Sequence, residues 1–164
     1  MNRRSFYFLF ILFFLIVDQL TKFIISRSIG LNNSLSVIPG FFDLVHVRNK
    51  GAIFGIFSQS GSQVVHILLM LASLVALALV IYYFFKTAIS EKLLKISLSL
   101  ILAGALGNLI DRIFRGYVID FLDFSIKGWH WPSFNVADSC ISVGALLLIF
   151  ILFFKRSPKC SQSL

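Results

Sequence analysis

The chain has 164 residues, 58% of them hydrophobic and 13% charged, with a mean hydropathy of +0.91. A soluble domain of this length needs far more polar surface, so the composition describes one integral membrane domain over residues 1–164. The formal net charge of +8 lies largely beside apolar segments, as topology and anionic lipid headgroups require, and this excludes nucleic acid as the partner.

Four segments are apolar enough to span a bilayer, which takes about 20 residues. The first covers residues 6–25. Arg3 and Arg4 precede it, as in a secretory signal, but polar Asp18, Gln19 and Lys22 occupy its far end and no small-residue cleavage site follows. It reads as a retained helix. Asp18 and Lys22 have the i, i+4 spacing of an intrahelical ion pair, most simply a structural one. Residues 26–63 then form an outer segment. Within it, Asn32-Asn33-Ser34 and Pro39-Gly40 mark turns, and FFDLVHVRN has the β-branched, aromatic and partly alternating character of a β element on the membrane surface. Asn49 is a turn residue or an amide that contacts substrate backbone. Gly51 and Gly55 suggest bends or close backbone approach.

The second span, residues 64–85, is almost wholly apolar apart from His66 and Ser73. The third, residues 93–110, ends in GALGNLIDRIFRG, where Asn108, Asp111, Arg112 and Arg115 fall on one helical face. Such a stripe is a wall of a site or a set of anchors, and Arg115 reads as a snorkelling anchor. Residues 111–135 follow as a second outer segment, a polar loop whose Trp129 and Trp131 suit the bilayer interface. The fourth span, residues 136–154, opens with FNVADSCIS, which places Asn135 and Asp138 three apart and facing the same way. An even number of spans puts both termini on one side. The cations at 3–4, 86–95 and 155–159 are the denser set, which favours cytoplasmic termini.

His46, His66 and His130 have no metal-ligand spacing. Cys140 and Cys160 form neither a zinc motif nor an expected disulfide, and there is no GxSxG nucleophile. No metal or cofactor is called for. What stands out is a pair of acids, Asp120 in GYVIDFLDF and Asp138 in FNVADSC, each beside an apolar segment where an ionised carboxylate is costly. Two neighbouring carboxyls do not readily ionise together, so one retains a proton while the other remains a base, the equipment for activating water against a peptide bond. A proton-coupled transporter also places acids in membranes, but its polar residues should run through the bilayer, and here they gather at one end. A scaffold binding lipid headgroups accounts for the cations but not for the acid pair.

Five strings occur in order: DQLTK at 18–22, RNKGAIFG at 48–55, GNLIDR at 107–112, GYVIDFLDF at 116–124 and FNVADS at 134–139. Through them the chain resembles the lipoprotein signal peptidases, the bacterial type II signal peptidases. The resemblance implies four transmembrane helices with a small extracytoplasmic β-sheet cradle. It implies an aspartyl endopeptidase of the inner membrane that cleaves diacylglyceryl-modified prolipoproteins before the lipidated cysteine. By position, Asp120 and Asp138 match the catalytic pair. Asn49, Asn108, Arg112 and Asn135 match the polar residues lining the site, and Asp18, Lys22 and Asp111 match the supporting ones. The expected partners are the lipidated substrate and membrane lipid, with the enzyme monomeric.

Overall fold

The computed structural model describes residues 3–50 and 63–154. Gly51 and Gly55 lie outside the described residues. The order of elements is α1 (Arg3–Ser28), β1 (Ser34–Ile38), β2 (Phe42–Asn49), α2 (Gln63–Lys86), α3 (Lys92–Arg115), β3 (Val118–Ile126), β4 (Trp129–His130) and α4 (Val136–Phe154). Helices α1, α3 and α4 are long and apolar enough to cross a membrane, and α2 adds the apolar stretch Met70–Lys86. This is the four-helix membrane architecture with a small sheet that the sequence implies.

Helix α3 is the most enclosed of the three long helices. Its Leu98 and Leu102 form an apolar core with Tyr7 of α1 and with Leu77 and Phe84 of α2. Two glycines let α4 come close. A Cβ at Gly104 would lie 2.2 Å from the carbonyl oxygen of Ala137, and one at Gly144 would lie 2.8 Å from the carbonyl oxygen of Ser97. Lipid tails are as apolar as the side chains they touch, so close backbone packing rather than burial from water holds such helices together. The Ser97 hydroxyl donates to the Gly144 carbonyl at 2.8 Å and ties the same contact. At the α2–α3 connection the Lys95 ammonium donates to the Phe84 carbonyl and lies over the Phe84 ring, sealing the end of α2.

The sheet is antiparallel in the order β1-β2-β3-β4. The sequence reading has strands only in residues 26–63 and a polar loop at 111–135. The second segment instead supplies two strands, and α3 continues to Arg115 before Gly116 closes it in the left-handed conformation at φ 75°. Val118-Ile-Asp-Phe-Leu is nearly all apolar, so no alternation marks it as a surface strand. It is enclosed on both faces. Ile119 and Phe121 pack on Ile25 and Ile29 at the end of α1. Strand alternation then turns Asp120 to the opposite face. Lys127 and Gly128, with φ of 52° and 81°, form the tight turn from β3 to β4.

A bulge in β2 decides which side chains accompany Asp120. Leu44 pairs with Leu122, but Val47 pairs with Asp120, so β2 spends one extra residue there. The extra residue inverts the alternation, and Val47 and Asn49 face the same way as Asp120. Without it Arg48 would take that side. Arg48 instead lies over the Tyr117 ring, 4.5 Å from its centroid.

Gly104→Ala should lower the midpoint of thermal unfolding in detergent, because a backbone carbonyl of α4 must move to admit the methyl group. A destabilisation of about 1–3 kcal/mol is expected. Val143→Ala, at a half-exposed position on α4, should change it by less than about 0.5 kcal/mol. Equal midpoints for Gly104→Ala and the parent would contradict the close packing.

Candidate active site

The site forms where the C-terminal ends of α1 and α3, the N-terminus of α4 and strands β2 and β3 converge. Asp18, Lys22, Asn49, Asn108, Asp111, Asp120, Asn135 and Asp138 are all buried there, none more than 6% exposed. Arg112 is half-buried beside them. Every site residue expected from the sequence is therefore in one cluster.

Asn135 joins the two acids. It stands one residue before α4, and its side-chain oxygen accepts the backbone N–H of Asp138 at 2.9 Å, the geometry of a helix N-cap. Because a backbone N–H can only donate, the amide's NH2 group must point the other way. It donates to Oδ1 of Asp120 at 2.7 Å. Oδ2 of Asp120 accepts from the Asn49 amide at 2.9 Å. On the other acid, Oδ1 of Asp138 accepts from the Asn108 amide at 2.8 Å. One asparagine thus fixes Asp120 by its side chain and Asp138 by its main chain.

Beneath the pair lies an ionic cluster. The Lys22 ammonium contacts Asp18 at 2.8 Å, Asp111 at 2.7 Å and Oδ1 of Asn108 at 3.0 Å. The Asp18–Lys22 pair expected from spacing is present, and it reaches beyond its own helix. Oδ1 of Asp18 accepts the N–H of Ala137 at 2.9 Å, so α1 caps the first turn of α4. Arg115 is not a snorkelling anchor: it is paired with Asp111 and donates to Gln19 at 3.2 Å. Of the four polar residues expected on one face of α3, Asp111 and Arg115 meet α1, Asn108 bridges α1 and α4, and Arg112 borders a cavity. Gln19 is a contributor that the sequence reading noted without a role. Its amide donates to Asp18, Asp111 and the Gly107 carbonyl. Its place beside Asp18 in DQLTK was the only available signal. Asp123 does not belong to the site; it pairs with His130 on the hairpin at 3.0 Å.

Burial raises the pKa of the Asp120 carboxyl to about 7, and the negative charge of Asp138 adds to the effect. The amide donors and the Lys22 charge oppose it. The Arg112 guanidinium feels the charges of Asp138, Asp120 and Asp111. Together with Asn108 it borders a cavity of about 300 Å³ between α2, α3 and α4. The remaining walls are small or aliphatic, among them Ala72, Ala76, Ile101 and Ile141. The arrangement offers two carboxyls of mutually dependent protonation, amide donors of fixed direction, and an apolar recess alongside.

A family model described as signal peptidase (SPase) II matches residues 10–154. A lipoprotein signal peptidase of Syntrophus aciditrophicus is 42% identical over 145 residues, covering 88% of this chain and 90% of its own. One of Geobacter metallireducens is 46% identical over 134 residues, 82% of each chain. One of Francisella tularensis is 41% identical over 150 residues, 92% of each. A bacterial membrane enzyme solved in meso superimposes with a TM-score of 0.82 at 35% identity, covering 98% of this chain and 94% of that one. With a family model over most of its length and a shared fold, the chain belongs to the signal peptidase II family.

Proposed function

We propose that the chain is a membrane aspartic endopeptidase that removes signal peptides from diacylglyceryl-modified prolipoproteins, with Asp120 and Asp138 as its catalytic pair. The observation that carries the reading is the Asn135 bridge, which holds two buried acids in one hydrogen-bonded unit. Family membership supplies the class of reaction and of substrate.

Charge balance supports a single shared proton. Lys22, Arg112 and Arg115 are three cations facing four acids, Asp18, Asp111, Asp120 and Asp138. Asp18 and Asp111 are taken up by Lys22 and Arg115, which leaves Arg112 to balance one charge on the pair. Among the described residues, a second charge would have no further counterion beside it. The ionised member takes a proton from water as the water's oxygen attacks the scissile carbonyl. The protonated member hydrogen-bonds the carbonyl oxygen as charge develops on it. The tetrahedral intermediate collapses when the proton held by the base passes to the leaving amine. The pair titrates as a unit. Asn49 and Arg112 orient peptide carbonyls, and the apolar recess beside Arg112 takes up an apolar part of the lipidated substrate.

Asp120→Asn and Asp138→Asn should each reduce cleavage of a purified diacylglyceryl-modified prolipoprotein by about a thousandfold or more, while inserting and unfolding like the parent. Processing near the parent rate by either variant would refute the pair. The unlipidated precursor should be a poor substrate, which separates a lipid-reading peptidase from a transporter or scaffold.

The proton count also sets a pH dependence. Asp120 has its carboxyl raised to about 7, so the pair holds its shared proton below that value and loses it above. The kcat/KM of the parent should therefore fall as pH rises through about 7, with one proton lost. A profile flat from about pH 6 to 9 would contradict a shared proton.

We place the site near the outer leaflet of the inner membrane, with cytoplasmic termini. Trp129 and Trp131, the only two tryptophans of the chain, lie on the exposed β3–β4 hairpin. Their fluorescence in the bilayer should be quenched by lipids brominated near the headgroup. Full access to aqueous iodide, with no quenching by lipid, would place the sheet away from the interface.

A further inference from the structure

The Lys22 ammonium is wholly buried and has three protons and no lone pair. It donates to Asp18 and Asn108 and lies 2.7 Å from Oδ2 of Asp111 in an ion pair. Wholly enclosed, it has no route to a substrate. Apart from its charge, which acts directly on Asp120, its influence on the chemistry passes through a neighbour, and Asn108 is the neighbour that touches Asp138.

The two ends of an amide are chemically opposite. An ammonium accepts nothing, so the end of Asn108 that faces Lys22 must be the oxygen. The NH2 end is thereby directed at Oδ1 of Asp138. If Lys22 were absent, nothing in that direction would select the oxygen. A turned amide would present its own oxygen to the carboxylate, where two acceptors repel. Lys22 also aligns Asp18, whose other oxygen holds the N–H of Ala137, next in chain to Asp138. The closeness is built in: a Cβ at Gly107 would lie 2.6 Å from Oδ2 of Asp18.

We propose that Lys22 is a positioning residue for peptide cleavage, acting on Asp138 through the orientation of the Asn108 amide. This rests on the reading of Asp138 as one of the catalytic pair. Asp138→Asn tests that reading separately, since a processing-competent Asp138→Asn enzyme would remove the reading itself.

Removing Lys22 alone would strand a buried acid, so Lys22→Met is always combined with Asp111→Asn, which keeps the buried charge of the parent. That pair of substitutions, Asn108→Ala and their combination form a cycle with the parent, assayed with a lipidated peptide in detergent. The Lys22→Met/Asp111→Asn pair should lower kcat by about ten- to a hundredfold with KM changed by less than about twofold, as loss of one hydrogen bond to a charged group implies. In the Asn108→Ala background the same pair should lower kcat by less than about twofold. A loss of equal size in both backgrounds, or a loss confined to KM, would overturn the proposal. Should the Lys22→Met protein fail to fold, Asn108→Asp decides. It keeps a partner for Lys22 but gives Asp138 no amide donor, and its kcat should fall about ten- to a hundredfold. Parent-level kcat in Asn108→Asp would also overturn the proposal.

Discussion

The side-chain amide of Asn135 is the contact on which the rest of the site depends. It caps α4 and holds Asp120 with a single planar group, so the start of a membrane helix and the middle of a strand cannot move independently. Removing it would leave a strand acid without one of its donors and a helix without its cap. Both losses involve buried polar groups, where missing hydrogen bonds cost most. The same logic extends outward. At each step the direction of an amide is set by a partner that can only donate: the N–H of Asp138 for Asn135, the Lys22 ammonium for Asn108. A dipole held this way needs no reorganisation when charge develops next to it.

The fold serves this arrangement through close approach rather than through a large core. Gly104 and Gly107 remove side chains where α3 meets α4 and α1, and each gap is taken by a polar atom of the network or its backbone: the Ala137 carbonyl in one case, Asp18 in the other. The sheet contributes by its irregularity. The β2 bulge lies beside the strand pair that carries Asp120, and its extra residue presents Asn49 instead of Arg48. An arginine there would add a second cation beside the pair and hold both carboxyls ionised. A regular strand would therefore place the wrong chemistry on the same backbone.

What was legible in the sequence followed from strong local rules. Apolar length gave the helices, and the i, i+4 spacing of Asp18 and Lys22 gave their ion pair, found at 2.8 Å. Acids placed against apolar segments pointed to Asp120 and Asp138, and the order of motifs gathered the asparagines around them. The misses arose where tertiary contacts override local pattern. Residues 118–122 read as loop because a strand enclosed on both faces shows no alternation. Arg115 read as a snorkelling anchor because its partners lie on its own helix at Asp111 and 96 positions away at Gln19, and the second is invisible to any local rule. The partners that give Gln19 its role, Asp111 and Arg115, are equally distant in sequence.

The long-range partners also explain why so many charges are tolerated inside a membrane protein. Lys22, Asp18, Asp111 and Arg115 form a neutral set with each ion contacted by at least one opposite charge. A neutral set of paired ions lessens the desolvation penalty that single buried ions would meet. Among the described residues Arg112 is a further cation beside Asp120 and Asp138, and one cation can balance one carboxylate but not two. On the proposed mechanism, that imbalance is what the peptidase uses: an acid and a base of the same residue type, distinguished by one missing positive charge.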